Sequence, residues 1–325
     1  MTTIRDIAKK ANVSVSTASR ALNNNPRISV KTRQRIQAIA AAEGYMPNYN
    51  ARNLTLGEAN VVGIVFPAAE NNVQGNPFYI DILRGINKQL APRHYVLSVA
   101  IGDHTEQVFE NVKSMVEQAK VKRFILLYSY AGDPVTEYLR KKASRFVIIG
   151  EPVEDKNDFY VDNNNYQAGI AGTEYLLGHL GAKHPVFVES SHEWPYERSR
   201  REGFQAAILR RGVSPLIYRL QKENNDGITV EFIRQHPEID SIMATDDMIG
   251  FEFYHHWQCA HPGKSIPAVS FNHSFILQLA NHQFHSINLF PENLGSAAVE
   301  LLFTDKENKG GEEPPRKIIL PFEIS

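Results

Sequence analysis

Ser16 and Arg20 stand four residues apart in "VSVSTASRAL", a spacing that puts both on one face of a helix. An arginine fork can pair with the edge of a guanine, and hydroxyls can bind phosphate oxygens. Val15, Thr17 and Ser19 would share that outer face, with Ala18, Ala21 and Leu22 turned inward. A second set is the pair Asp246-Asp247 in "MATDDMIGFEF", with His273 further on. These are groups of the acid–base type. Nothing orients a nucleophile beside them, and no phosphate-binding glycine loop accompanies them, so catalysis is not expected. The twelve histidines lack metal-ligand spacing. His255-His256 is the closest pair, and adjacent helix residues face different ways. With Cys259 as the single cysteine, neither an intrachain disulfide nor a cysteine zinc site is expected. No metal and no cofactor follow from the sequence.

The elements that must position Ser16 and Arg20 are short helices. Thr3 can cap a first helix, with Asp6 as the acidic partner of a capping box and Ile4, Ile7, Ala8 and Ala11 as its apolar stripe. Ser14 can cap a second helix, slim enough for a DNA major groove. After the loop "NNNPR", Ser29 can cap a third, with Ile36, Ile39 and Ala40 inward and Gly44 as terminator. Charge agrees with this reading. Residues 1–57 hold nine basic residues against Asp6 and Glu43, a net +7, while the whole chain is at −1, which leaves −8 on the remainder. A basic head on an acidic body suits a polyanion. The alternative is a plain three-helix bundle with a solvated basic face.

"TIRDIAKKANVSVSTASRALN" closely resembles the start of lactose-repressor (LacI) family transcription factors, and "YMPNYNARNL" resembles their hinge segment. The resemblance implies operator-DNA contacts from Thr3, Val15, Ser16, Thr17, Ser19, Arg20 and Tyr45, and minor-groove contacts from Ala51 and Leu54, with Leu54 as the wedge at a central base step. Pro47 ends what precedes the hinge, and Asn48 can cap a helix through about Thr55. So short a segment is not stable alone and should order only on DNA and a partner copy.

From Asn60 the pattern changes. "NVVGIVFP", "YVLSVAI", "RFILLYS" and "RFVIIGEP" read as strands, separated by the helices "FYIDILRGINKQL", "TEQVFENVKSMVEQAK" and "VTEYLRKKA". A second round starts near "YQAGIAGTEYLLGHLG", with strands "HPVFVES", "PLIYRL", "SIMAT" and "AVSF". Such alternation is doubly wound α/β, with ligands at the carboxyl ends of the strands. The expected architecture is an all-α helix-turn-helix head (1–57, hinge about 48–56) on an α/β, periplasmic-binding-protein-like body (58–325). The body would hold two doubly wound parallel-sheet subdomains, about 60–161 with 291–320 and about 162–290 with 321–325.

The resemblance further implies a ligand set in the cleft. Phe78 and Tyr79 would stack on a sugar, with Trp194 and Tyr196 extending the aromatic wall. Arg200, three residues before Gly203-Phe204, would point its fork inward, while Arg198 and Arg201 would be solvated. Asp246 would face the ligand, Asp247 would be a cap or interdomain residue, and Asp162 would lie near the cleft or its rim. Where most relatives carry an aspartate, this chain has Asn272, which favours neutral polyols over cationic ligands. "SFNHS" resembles the maltose-type regulators of Gram-positive bacteria.

The expectation is therefore a repressor released from a palindromic operator by a sugar, maltose or a maltodextrin. Regulators of another sugar or with a corepressor are alternatives, as are, more remotely, a sugar-binding protein or a sugar-processing enzyme. No long apolar run suits a membrane span, no signal core opens the chain and no leucine-heptad tail closes it. Cytoplasmic residence and a homodimer are the corresponding expectations.

Overall fold

The structure is a computed structural model describing residues 2–22, 24–45, 59–69, 75–192, 194–221, 225–278, 284–304 and 315–324. The hinge segment, with Ala51 and Leu54, lies outside the described residues. The chain forms two compact units, Met1–Ala59 and Asn60–Ser325.

The first unit contains α1 (Ile4–Lys10), α2 (Val15–Leu22) and α3 (Val30–Ala42). Local chemistry sets their ends. The Asp6 carboxylate accepts from the Thr3 backbone N–H and hydroxyl at 2.8 and 2.7 Å, and these bonds hold its pKa below the usual carboxylate value. Ser14 and Ser29 hydroxyls accept from the backbone of Thr17 and Thr32. Gly44 sits at φ +60° just past α3, where a side chain would be strained. Ile7, Ala11, Ala21, Ile36 and Ala40 form the small core.

The second unit repeats one plan twice. Its first sheet comprises β1 (Val61–Val65), β2 (Val96–Ala100), β3 (Arg123–Leu126), β4 (Arg145–Ile149), β5 (Phe159–Asn163) and β11 (Lys317–Leu320), all parallel, in the order β11-β5-β4-β3-β1-β2. The second comprises β6 (Pro185–Ser190), β7 (Leu216–Leu220), β8 (Ser241–Ala244), β9 (Ala268–Phe271), β10 (Phe284–Asn288) and β12 (Glu323–Ile324), in the order β12-β10-β9-β8-β6-β7. There β12 runs antiparallel to β10, a departure from the all-parallel expectation. The chain enters β12 from β11 of the first sheet across only two residues, Pro321 and Phe322.

The helices are α4 (Pro77–Leu90), α5 (Thr105–Glu117), α6 (Pro134–Lys141), α7 (Asn165–Gly178), α8 (Pro195–Leu209), α9 (Asn225–Gln235), α10 (Asp247–Ala260) and α11 (Pro291–Leu302). Each sheet has a core on both faces. In each half one helix pair packs backbone to backbone. A Cβ on Gly85 of α4 would come 1.9 Å from the Glu292 carbonyl oxygen of α11, and one on Gly169 of α7 would come 2.3 Å from the Arg200 carbonyl oxygen of α8.

The chain passes between the halves three times, after β5, after β10 and between β11 and β12. Buried Asn163 ties these crossings together, its amide donating to the carbonyls of Leu289, Leu320 and Pro321 at 3.0–3.3 Å.

Candidate functional site

In the first unit α2 presents the face anticipated for it. Val15, Ser16 and Arg20 are exposed, Thr17 and Ser19 half-buried, and Ala18 and Ala21 buried beneath them. The Ser14 hydroxyl bonds those of Ser16 and Thr17 at 2.9 and 2.8 Å, which orders this end of the helix. Thr3 is exposed, and Tyr45 packs on the small core. Part of the positive charge serves the bundle itself. Lys10 pairs with Glu43 at 2.5 Å, Arg33 donates to the Asn24 carbonyl and Arg35 to that of Ala11.

In the second unit both sheets follow the same switch in strand order, between β1 and β3 and between β6 and β8. Ligands sit outside the carboxyl ends of strands at such points. A cavity of about 280 Å³ lies at the carboxyl ends of β3, β4 and β5, on the β3 side of the first switch. Leu127, Tyr128 and Ser129 follow β3, and Gly150 and Glu151 follow β4. Asp162, Asn163, Asn164 and Asn165 mark the end of β5, and Trp194, Tyr196 and Ser199 come from the start of α8. Tyr79 of α4 completes the wall.

Of the sequence-derived ligand set, Tyr79, Trp194 and Tyr196 line this cavity, as does Asp162. Arg200 stands behind the wall, only 4% exposed. Its guanidinium lies between the rings of Tyr196 and Phe271, donating to Asn165 Oδ1 at 2.9 Å and to the Thr245 carbonyl at 2.5 Å. It thereby fixes two lining residues, Asn165 and Tyr196. Phe78 packs against core from both halves. Asn272 is buried at φ +92°, a left-handed conformation that asparagine tolerates better than most residues.

Asp246, rather than Asp247, caps α10, accepting from Ile249 N at 2.8 Å. It also accepts from the Asn76 amide at 3.4 Å, a bond that joins the α4 end of one half to the α10 end of the other. Asp247 is instead a buried staple within the second half. It accepts from the hydroxyls of Ser270 and Ser286 and from the backbone of Ser274, at 2.5–2.9 Å. Arg201, expected in solvent, is held at 2.6 and 2.7 Å by the fully buried Glu189, which Arg219 also approaches. A buried carboxylate requires such a partner. Trp194, from the second half, packs in the core of the first, and Glu197 anchors its backbone N–H at 3.1 Å.

Burial dominates the electrostatics. It pushes the Asp246 carboxyl up to about 7, aided by the carboxylates of Glu197 and Asp247 and opposed by the Ile249 bond and Arg200. It pushes Asp162 up to about 6, against its bonds from Asn163, Asn165 and Glu151 and the Arg200 cation. Burial likewise lowers the Arg200 guanidinium, against the pull of Asp162 and Asp246. Of these three groups only Asp162 lines the cavity; Arg200 and Asp246 are buried behind it. Among the described residues no cluster of histidine, cysteine or acidic groups could hold a metal, and no helix is long and apolar enough to cross a membrane.

A basic helix-turn-helix unit, together with an α/β body whose cavity lies at the carboxyl ends of its strands, defines a ligand-binding DNA-recognition protein. Residues 3–48 match the family of bacterial regulatory proteins of the lacI type, and residues 59–266 match the periplasmic binding proteins and sugar binding domain of the LacI family. The chain belongs to the LacI family and is a DNA-binding transcriptional regulator, not an enzyme. It is 31% identical over 307 residues to the HTH-type transcriptional regulator MalR of Staphylococcus xylosus, covering 92% of this chain and 90% of that one. The fold is similar to that of a probable maltose operon transcriptional repressor from a Staphylococcus (TM-score 0.71, 21% identity, 82% of this chain and 96% of that one). It is also similar to the lac repressor dimer bound to operator and an anti-inducer (TM-score 0.72, 17% identity, 99% and 97%).

Tyr128, Ser129, Glu151, Asn163 and Asn165 were not singled out from the sequence. Their one signal was position, since Tyr128 and Glu151 directly follow the apolar runs "RFILL" and "RFVIIG".

Proposed function

We propose that this regulator is a homodimeric repressor of sugar-utilisation genes, with maltose or a short maltodextrin as its effector, and that the sugar releases it from a palindromic operator. The carrying observation is the cavity wall. Aromatic rings from both halves, Tyr79 and Tyr128 from one and Trp194 and Tyr196 from the other, surround the polar groups of Asp162, Asn163 and Asn165. Rings cover the apolar C–H faces of a sugar, while carboxyl and amide groups take its hydroxyls. The offset of Arg200 by Asp162 and Asp246 leaves little net charge, which suits a neutral ligand. The similarity to MalR supports the choice of maltose. In the first unit Thr3, Val15, Ser16, Thr17, Ser19, Arg20 and Tyr45 would contact the operator, with Ala51 and Leu54 of the hinge in the minor groove. Two copies would read the two half-sites of a palindrome.

Titration calorimetry tests the effector. Maltose should give saturable heat that Trp194→Ala abolishes, and it should lower operator affinity in a retardation assay. Heat with an unrelated sugar alone would replace maltose. Failure to select any palindromic site from random DNA would overturn the operator reading.

A further inference from the structure

Two helix caps from opposite halves of the body meet across its cleft. Asn76 caps α4 of the first half, its Oδ1 accepting from Phe78 N at 3.1 Å. Asp246 caps α10 of the second half through its own Oδ1. The remaining atoms face each other, and Asn76 Nδ2 donates to Asp246 Oδ2 at 3.4 Å. Trp194 closes the same seam, carried by the second half and packed in the core of the first. The cleft is therefore shut, and shutting it leaves the Asp246 residue only 7% exposed.

The surroundings of this carboxyl disfavour a further negative charge. From α8 come Glu197, Tyr196 and Arg200. Glu197 accepts from Ser190, Trp194 and Thr245, and its charge acts on Asp246. Arg200 directs its donors to Asn165 and the Thr245 carbonyl, and among the described residues it forms no salt bridge with Asp246. From α10 comes Asp247, a second carboxylate, and from α4 comes Tyr79, whose phenol burial pushes up. His273, after β9, is exposed. Burial and two neighbouring carboxylates, against one helix-cap bond and one cation, hold the Asp246 carboxyl at about 7 in the shut cleft. Opening the cleft returns it to water and towards the ordinary 3.8. The shut form thus binds the proton more tightly. Its advantage is complete below about pH 3.8 and is lost as pH rises through about 7.

We propose that shutting the effector cleft takes up a proton at Asp246, so that the regulator responds to its effector more weakly as its surroundings turn from mildly acidic to mildly alkaline. The inference rests on the sugar reading above for the effector's identity, while the device itself is built into the two halves. Asp246 does not line the cavity. The coupling therefore runs through closure and not through contact with the ligand, and whatever favours the shut form favours the protonated carboxyl by the same factor.

Calorimetry on the full chain with maltose at pH 6, 7 and 8, each in two buffers of different ionisation enthalpy, is the test. Affinity should fall about tenfold from pH 6 to pH 8, with about half a proton taken up per site at pH 7. Asp246→Asn keeps the cap and the acceptor for Asn76 but cannot ionise. Its affinity should change by no more than about twofold over the same range, the share of Asp162, which it retains. A pH-independent wild type would overturn the proposal while leaving maltose as effector, and so would an equal pH dependence in the variant. Absence of heat with maltose would defeat the sugar reading, and the ligand-free chain then decides. Trp257→Phe leaves Trp194 as the sole tryptophan. Its emission should move to longer wavelength from pH 6 to pH 8 as the indole leaves the core of the first half, and adding Asp246→Asn should abolish the shift. An emission maximum that stays in place, or a shift that survives Asp246→Asn, would overturn the proposal.

Discussion

Asp246 offers a test that separates a buried carboxyl from an ordinary helix cap. In Asp246→Asn the side-chain oxygen still accepts from Ile249 N, so the cap is kept and only the ionisable group is lost. The wild-type carboxyl has a pKa of about 7 in the folded chain against 3.8 for the free group. The folded state therefore holds the proton more tightly than the unfolded one. This stabilising contribution is fully present below about pH 3.8 and is lost as pH rises through about 7. Between pH 5 and pH 8 these values correspond to about 2.5 kcal/mol, an upper figure because internal relaxation moderates it. Urea denaturation of both proteins at the two pH values gives the comparison. We expect wild type to lose about 2 kcal/mol relative to Asp246→Asn on going from pH 5 to pH 8. Groups that do not interact with Asp246 titrate alike in both proteins and cancel. A difference that stays constant to within about 0.5 kcal/mol would refute the reasoning and mean that the carboxylate is well solvated.

Other outcomes can be measured directly. Arg20→Ala should cost about 1–3 kcal/mol per half-site and relax preference at one base pair, read by retardation on variant operators. Asp247→Ala leaves two buried hydroxyls and a backbone N–H without their acceptor, and should lower unfolding free energy by about 3 kcal/mol or more. Gly85→Ala forces α4 away from α11 and should destabilise by several times the ~1 kcal/mol typical of point mutants, with a lowered denaturation midpoint as readout. Hydrogen exchange over residues 48–55 should show protection with operator that diminishes when sugar is added. Protection rising with sugar would make the ligand a corepressor, and by linkage operator must change sugar affinity by the same factor.

Much of this protein is legible in its sequence because the signals are local. Helix ends depend on residues three or four apart, as at Thr3–Asp6, Ser14–Thr17 and Ser29–Thr32. The apolar runs of β1, β3, β4, β6, β8 and β9 announce buried parallel strands by themselves. The exposed face of α2 follows from helical period alone. What the sequence by itself determined is thus the element order and the chemical character of each face.

Only the tertiary structure decided which polar residues meet. Asp246 and Asp247 are neighbours in the chain, yet one bridges two halves and the other pins β9 to β10, because Asp246 is the extended cap residue (φ −154°, ψ 173°) while Asp247 opens the helix. Arg201 looks like a surface charge until β6 brings the buried Glu189 beneath it. Tyr128, Glu151, Asn165 and Lys317 are far apart in sequence and share one cavity because strand order places β3, β4, β5 and β11 side by side. Strand order is fixed by non-local pairing, and a local pattern carries no record of its partner.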